Sequence, residues 1–233
     1  MISNDQYYDE LSNFYKNKYK NRYSYIESVN NKICKFFKPI NQTNILDIGV
    51  GDGERAHDLI SRLGISKSNY YGLEPSKKMY QKAKKHLLSD NLFNLSLENF
   101  ENNMKFDYIL LLWNVIGHIN DLDIFFSKIS KLTNQNGYII FDFNNIFNIK
   151  EYGLLNYLKN KILSIFIYKF KFNLTYSNNT TQVNFYTKSF IKKILKKNKI
   201  KVQDMYFINY QSGIIENTSH RGQVMMICKY VSN

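Results

Sequence analysis

The chain has 233 residues, of which 44% are hydrophobic and 22% charged. This length fits a single domain, and the composition supports a buried core and argues against long disordered stretches. The formal net charge of +13 indicates either attraction to an acidic partner or a bias of composition. Because the lysines are scattered and form no dense block, the compositional interpretation is favoured.

The cysteine pattern and the apolar stretches bear on metal binding and location. Cys34 and Cys228 lie far apart, and no CxxC or Cys/His spacing indicates a metal site. We therefore expect free thiols and no metal. The polar N-terminus lacks the apolar run of a signal peptide, and the longest apolar stretch, residues 162–172, is interrupted by lysines and is too short to span a bilayer. The cytoplasm is the expected location.

Apolar periodicity divides the chain into segments. Helical spacing of apolar residues within 6–37 predicts a helical cap over residues 1–40. Strand-like apolar runs and helical segments then alternate through a core at residues 44–145. The strands are predicted at 44–48, 69–74, 92–97, 106–113 and 137–143, and the helices at 54–63, 75–88 and 121–132. This alternation predicts an α/β domain with a doubly wound parallel sheet and helices on both faces.

The alternation stops after residue 145. Residues 146–180 are rich in Asn, Lys, Tyr and Phe and predict an insertion that caps the site. Regular strands and a helix return in residues 181–233, which we assign to the same sheet. The Lys and aromatic residues of 159–172 raise the further hypothesis of contact with a membrane surface or an acidic partner.

Three glycines, Gly49, Gly51 and Gly53, follow the first predicted strand and precede a helix. In a doubly wound sheet, ligands bind at the carboxyl ends of the strands where the strand order reverses. The dinucleotide fingerprint GxGxxG would need a small residue at position 54, where this chain has Glu54, and the phosphate loop GxxxxGK[ST] is absent. A dehydrogenase is therefore a distant alternative.

Acidic residues surround this glycine loop. Asp47, Asp52 and Glu54 would oppose a diphosphate at the start of the following helix, and they suit a ligand that carries positive charge. Glu74 ends the second predicted strand, where a carboxylate can accept both hydroxyls of a ribose. The competing interpretation of Glu74 is a charge at a helix N-terminus.

The segments ILDIGVGDG (45–53) and GLEPS (72–76) resemble the first and second motifs of the class I S-adenosylmethionine-dependent methyltransferase family. Residues 106–109 and 114–119 resemble its fourth-strand segment. The resemblance covers residues 44–145 and, more loosely, 182–231. It implies a Rossmann-like, seven-stranded, mostly parallel sheet with an antiparallel last strand, and S-adenosylmethionine as the cofactor.

The resemblance also implies roles for individual residues. The implied cofactor contacts are Asp47, Gly49, Gly51 and Gly53 around the methionine portion, Glu74 at the ribose, Glu98 near the adenine amine, Leu112 and Trp113 as a wall, and Arg22 at the carboxylate. Core packing of Trp113 and a solvated helix position for Arg22 are the competing interpretations.

Several residues are candidates for contact with the methyl acceptor. His118 follows the fourth strand and is either the base that removes a proton from the acceptor or a structural histidine of the loop. Asn114, Asn144 and Tyr15 are predicted substrate contacts. The N-terminal tyrosines that could line the site, or belong to the core instead, are Tyr7, Tyr8, Tyr15 and Tyr19.

These observations predict a methyltransferase that acts on oxygen or nitrogen of a small molecule or saccharide, with an acidic acceptor allowed by the positive charge. A nucleic-acid methyltransferase is the second hypothesis. Residues 113–116 argue against the nucleic-acid hypothesis, because they lack the Asn/Asp-Pro-Pro-aromatic pattern that holds a flat base. A cofactor-binding protein without catalysis is the third. No particular oligomeric state is predicted.

Overall fold

The computed structural model describes residues 1–15, 22–37 and 42–231. These form an eight-stranded sheet, covered by helices on both faces, and a separate two-stranded hairpin. The strands are β1 (Ile45–Ile48), β2 (Tyr70–Leu73), β3 (Leu92–Phe93), β4 (Phe106–Leu111), β5 (Thr133–Phe143), β6 (Lys169–Tyr176), β7 (Asn179–Tyr186), β8 (Ile200–Ile208), β9 (Ile215–Glu216) and β10 (Gln223–Tyr230). The helices are α1 (Asn4–Leu11), α2 (Tyr23–Phe36), α3 (Glu54–Leu63), α4 (Lys77–Ala83), α5 (Leu122–Leu132), α6 (Ile149–Leu163) and α7 (Lys188–Lys197).

The order of the central sheet is β3-β2-β1-β4-β5-β10-β8-β9. Strands β1 to β5 run parallel, whereas β10 is antiparallel to both β5 and β8. The order turns back between β1 and β4, because the chain builds outward to β3 and then returns to the other side of β1. The predicted doubly wound α/β sheet with an antiparallel late strand is confirmed, and it places a ligand crevice at the carboxyl ends of β1 and β4.

Two details of the expected sheet are corrected by the structure. The sheet has eight strands and not seven, because the two-residue β9 pairs with β8 at the edge. A strand this short has no period-2 pattern to read. In addition, residues 182–186 belong to β7, which pairs with β6 and not with the central sheet. Their apolar alternation predicts a strand but does not identify the strand that pairs with it.

The sheet separates two apolar cores. Helices α2 and α3 pack on one face, through side chains such as Val29 and Leu59, and helices α5 and α7 pack on the other, through Phe126 and Ile191. The bounds of α3 follow its sequence, because its apolar residues recur at helical spacing and Gly64 ends it in a left-handed conformation (φ 63°). Burial of each such aliphatic side chain contributes about 1.5–3 kcal/mol.

Helix α1 and the β6–β7 hairpin lie together over the carboxyl ends of the central strands. The Ile2 amide donates to the Thr180 carbonyl at 3.0 Å, and the Thr181 hydroxyl donates to Oδ1 of Asn4 at 2.7 Å. On its other side, the hairpin holds the segment after β4, since Nδ2 of Asn184 donates to the Ile119 carbonyl at 3.1 Å. The N-terminal helix and the insertion are thus joined above the sheet.

No helix in the described ranges combines the length and the apolar character that crossing a bilayer requires.

Candidate functional site

A cavity of about 590 Å³ opens at the carboxyl ends of β1, β2 and β4, where the strand order reverses. Its walls come from the glycine loop after β1, the ends of β2 and β4, residues 94–99 after β3, and helix α1. This volume falls within the range of small-molecule sites. The cavity therefore lies where the topology predicts a ligand.

The structure brings most of the predicted site residues to this cavity. Those that line it are Gly49, Gly51, Glu74, Glu98, Leu112, Trp113, His118 and Tyr15. Those that lie outside its lining are Asp47, Gly53, Arg22, Asn114 and Asn144.

The glycine loop is shaped by positive backbone angles and tight packing. Gly49 (φ 76°) and Gly53 (φ 81°) adopt left-handed conformations, and a Cβ atom would lie 2.8 Å from Val115 at the first position and 2.8 Å from Ala83 at the second. Gly51 (φ 66°) differs, because a Cβ there would meet no protein atom within 4 Å. A side chain at Gly51 would instead enter the cavity.

Glu74 is buried at the end of β2 and faces the glycine loop. Its carboxylate accepts a hydrogen bond from the Gly51 amide at 2.8 Å and another from the Ser76 amide at 2.9 Å. Burial raises the pKa of Glu74 to about 7, which outweighs the opposite effect of the two backbone donors. The group therefore titrates near neutral pH, at the wall of the cavity.

Asp47 lies beneath the loop and is buried among protein atoms. It accepts a hydrogen bond from the Tyr70 hydroxyl at 2.7 Å, and burial raises its pKa to about 6. Its side chain supports the floor of the site from behind. The structure thus does not bring Asp47 to the surface where a methionine moiety would sit.

Arg55, in the first turn of α3, was not identified from the sequence, where it reads as an ordinary helix arginine. Its Nε donates to Oδ1 of Asn30 at 2.8 Å, while Nη1 and Nη2 are buried and have no hydrogen-bond partner among the residues that the structure describes. Its positive charge lowers the pKa of both Asp47 and Asp142. The guanidinium therefore offsets part of the negative charge beneath the loop.

The end of β4 is held by Asp142 of the neighbouring strand β5. Asp142 accepts hydrogen bonds from the Asn114 amide at 2.6 Å and from the Tyr25 hydroxyl at 3.1 Å. The Asn114 side chain accepts from the Asn144 amide at 3.1 Å, and the Tyr210 hydroxyl donates to Asn144 at 2.6 Å. Asn114 and Asn144, predicted as substrate contacts, thus connect the ends of two strands and do not face the cavity.

The hydrogen bonds among Asp142, Asn114 and Asn144 hold the chain in an uncommon conformation directly beside the cavity. Trp113 (φ 72°) and Asn114 (φ 60°) both have positive backbone angles, which non-glycine residues adopt rarely. Leu112 and Trp113, at this turn, both line the cavity.

Arg22 lies behind Trp113. Its guanidinium carbon is 4.0 Å from the centre of the Tyr210 ring and 5.9 Å from that of Trp113, and it pairs with Glu151 at 3.7 Å. In this position Arg22 supports the wall and is separated from the lining that a cofactor carboxylate would touch.

His118 reaches the cavity from the turn after β4 and meets α1. Its Nε2 lies 3.1 Å from the Tyr8 hydroxyl, and its Nδ1 is buried with no hydrogen-bond partner in the described chain. Burial lowers the pKa of His118 to about 4. The imidazole is therefore neutral at physiological pH.

The N-terminal tyrosines divide between lining and core. Tyr8 and Tyr15 line the cavity, with ring centres 6.4 Å apart, whereas Tyr7 is fully buried. Tyr19 lies outside the described residues. Asn4 and Asp5, which carry no distinctive motif, also line the cavity because α1 lies directly over it.

Glu98 stands at the exposed rim, in a short turn after β3. Its main-chain carbonyl accepts a hydrogen bond from Nζ of Lys128 at 2.9 Å. The side chain is exposed to solvent and belongs to the lining of the cavity. It is positioned to meet a polar edge of an elongated ligand.

Comparison with protein families bears directly on this geometry. Residues 46–139, which include the glycine loop, Glu74 and His118, match the family model described as "Methyltransferase domain". The matched segment resembles methyltransferases and spans less than half of the chain.

One relative of this chain is a ubiquinone biosynthesis O-methyltransferase from Pelagibacter ubique, 36% identical over 110 residues. The aligned segment spans 46% of this chain and 44% of that relative. Similarity to that protein therefore concerns less than half of either sequence.

Solved structures share the fold over nearly the whole chain. A structure from Listeria monocytogenes, described as an S-adenosylmethionine-dependent methyltransferase, has a TM-score of 0.66 at 13% identity and covers 88% of this chain and 99% of its own. An amino pentose methyltransferase from Micromonospora echinaspora, solved with S-adenosylmethionine bound, has a TM-score of 0.61 at 11% identity and covers 94% of this chain and 97% of its own. At such identities, the likeness concerns the fold.

Proposed function

We propose that this chain binds S-adenosylmethionine and transfers its methyl group to oxygen or nitrogen of a small-molecule acceptor. The proposal rests on one observation. A single cavity at the reversal of strand order contains both the Glu74–Gly51 pair and the neutral His118. The first suits an adenosyl group, and the second suits an acceptor that loses a proton.

The residues of the cavity fit this cofactor. Each Glu74 oxygen accepts one backbone hydrogen bond and retains a lone pair, so the carboxylate can also accept from ribose hydroxyls. The open space beside Gly51 leaves room for the ligand backbone. A carboxylate in the lining also favours a cofactor that carries sulfonium and ammonium charges.

The remaining lining divides between the two ends of the cofactor. Glu98, at the rim, would meet the adenine amine, and Leu112 and Trp113 would pack beside the methionine portion. The hydrogen bond of 2.6 Å from the Asn114 amide to Asp142 would keep that wall rigid, because it ties the segment after β4 to β5. Rigid positioning is a large part of catalysis for an in-line displacement.

The bound cofactor supplies an electrophilic methyl group. His118 would hold the proton that a hydroxyl or amine acceptor loses when its lone pair forms the bond to the methyl carbon. The Tyr8 hydroxyl would orient the imidazole through its contact with Nε2. Helix α1 thus contributes to the acceptor end of the site.

A small acceptor is supported by the lining and by the relatives. The lining includes the aromatic side chains of Tyr8, Tyr15, Trp113 and Phe125, which suit a flat or partly apolar molecule. The aligned relative is named for an O-methylation, and a neighbour of the same fold for methylation of an amino pentose. Phenols and amino sugars are therefore the first acceptors to test.

The test has two stages. Calorimetry should detect binding of S-adenosylmethionine and its demethylated product, and weaker or no binding of NAD. Acceptor screening by mass spectrometry should then detect a methylated phenol or amino sugar. Preference for NAD would overturn the proposal, and cofactor binding without transfer to any acceptor would favour the non-catalytic alternative.

A further inference from the structure

Helix α6 and the turn after it present an uncovered apolar surface. Leu155, Ile165 and Phe166 are 84%, 75% and 80% exposed, which is unusual for side chains of this size. We call this surface the α6 apolar face. Its members are Leu154, Leu155, Leu158, Ile162, Ile165 and Phe166.

The four members that lie within α6 share one side of the helix. Leu154, Leu158 and Ile162 are spaced four residues apart, which places them in line on an α-helix, and Leu155 adjoins them. At 3.6 residues per turn, the face occupies about a third of the circumference. Ile167 and Tyr168, both exposed, continue it beyond the helix. The exposure is therefore an organised stripe and not a scatter of single residues.

The opposite side of α6 is packed. Nδ2 of Asn160 donates to the Ile146 carbonyl at 3.0 Å, and Tyr152 and Leu163 pack against the small core beneath the hairpin. The helix is thus anchored by one side while its apolar face points outward. An apolar face that the fold leaves uncovered indicates a partner.

The charged residues around the face are mostly positive. Within residues 146–186 the sequence carries five lysines and a single acid, Glu151, which is paired with Arg22. Lys159 and Lys161 lie on α6 at the borders of the face, and Lys171 follows on β6. In the described chain these three lysines have no ion-pair partner. The apolar stripe is therefore bordered by positive charge.

We propose that the α6 apolar face docks this protein on the surface of an anionic lipid bilayer. An apolar stripe with flanking lysines inserts shallowly between headgroups, while the long lysine side chains reach the phosphates. A basic border complements an anionic surface and would repel a second copy of the same border, which argues against a dimer. The proposal is independent of the reaction carried out in the cavity.

Vesicle sedimentation tests the proposal with the full chain. Phosphatidylcholine vesicles containing phosphatidylglycerol should bind the protein, vesicles of phosphatidylcholine alone should bind it at least tenfold more weakly, and added salt should weaken binding. The triple variant Leu155→Ser, Leu158→Ser, Phe166→Ser should lose binding to the anionic vesicles. Since these side chains are exposed, the variant should keep its cofactor affinity and melting temperature.

A matched control is Ile124→Ser, because Ile124 is an exposed apolar side chain on a different helix, α5, and is not a member of the face. It should bind vesicles as the wild type does. A second variant, Lys159→Ala with Lys161→Ala, should weaken binding to anionic vesicles only.

Two results would overturn the proposal. One is vesicle binding by the triple variant equal to that of the wild type. The other is self-association of the wild type in the ultracentrifuge without lipid, abolished in the triple variant, which would assign the face to a second copy of the chain.

Discussion

The carboxylate of Glu74 and the backbone amide of Gly51 are joined by a hydrogen bond of 2.8 Å. This contact connects the end of β2 to the middle of the glycine loop, so the shape of the loop and the ionisation of Glu74 depend on each other. Because burial raises the pKa of Glu74 to about 7, this dependence falls in the range where the protein would be assayed.

The affinity for S-adenosylmethionine is therefore expected to depend on pH. The ionised carboxylate accepts ribose hydroxyls and attracts the cationic cofactor, so the dissociation constant should fall by up to about tenfold between pH 6 and pH 8. Glu74→Gln should weaken binding by about 1.5–3 kcal/mol and make it independent of pH. Calorimetry across this range checks both; an unchanged pH dependence in Glu74→Gln would remove Glu74 from the site.

The same pKa predicts the stability of the ligand-free protein. Since the folded-state pKa of about 7 lies above the usual value of 4.5, the protonated form is stabilised by folding. That contribution is present below pH 4.5 and is lost as the pH rises through 7. Urea denaturation at pH 5 and pH 8 should show it, and Glu74→Gln should reduce the difference.

Gly51→Arg should abolish cofactor binding, because the side chain would enter the cavity beside the loop. Gly64→Arg is a matched control, since Gly64 also has a positive φ (63°) and open surroundings but lies at the far end of α3. Both variants should lose about 1 kcal/mol of stability from backbone strain. Calorimetry should show that Gly64→Arg still binds the cofactor and that Gly51→Arg does not. Retained cofactor affinity in Gly51→Arg would contradict the location of the site.

His118→Ala should preserve cofactor binding and slow turnover by about 10²–10⁴-fold, as expected for loss of a general base. In the wild type, the acidic limb of kcat/KM should lie near pH 4 and not near 6.5, because burial lowers the pKa of His118 to about 4. Steady-state assays from pH 4 to 8 measure this.

The exposed His57 supplies the control, and His57→Ala should leave turnover unchanged. Wild-type turnover in His118→Ala would assign His118 to the support of the loop. Tyr8→Phe should reduce kcat more than cofactor affinity, since it removes only the hydroxyl at Nε2.

Arg55→Met should destabilise the fold by about 1–3 kcal/mol, because it removes the positive charge near two buried carboxyl groups. Without Arg55, the pKa of Asp47 and of Asp142 should rise further. The loss of folding stability in Arg55→Met should therefore be larger at pH 8 than at pH 5. Urea denaturation at the two pH values checks this. Arg62→Met, on the exposed side of the same helix, should show a smaller change.

Local patterns in the sequence predict the cofactor half of the molecule well. The bounds of α3 and the glycine loop follow from apolar spacing and from glycines that the backbone requires, and the position of Glu74 follows from the end of a strand. The parallel, doubly wound arrangement of β1 to β5 follows from the alternation of strands and helices. These features depend on residues that are close in the chain.

The remaining features depend on contacts between distant residues. Asn144 reads as a polar residue at a strand end, but Asn114 and Tyr210 engage it from elsewhere. Arg55 looks like a surface residue until Asn30 and the buried carboxyl groups surround it. Likewise, β7 is recognisable as a strand, whereas its pairing with β6 requires the insertion to fold back on itself.

The β6–β7 hairpin forms a sheet of its own, and β5 pairs directly with β10 without it. Replacing residues 146–186 would therefore leave the hydrogen-bond ladder of the central sheet uninterrupted. We expect this scaffold to accept grafts from proteins of the same fold at the junctions near Asn145 and Thr187. Residues 146–186 could then change in evolution, and with them the choice of acceptor, while the central sheet and its cofactor cavity stay the same.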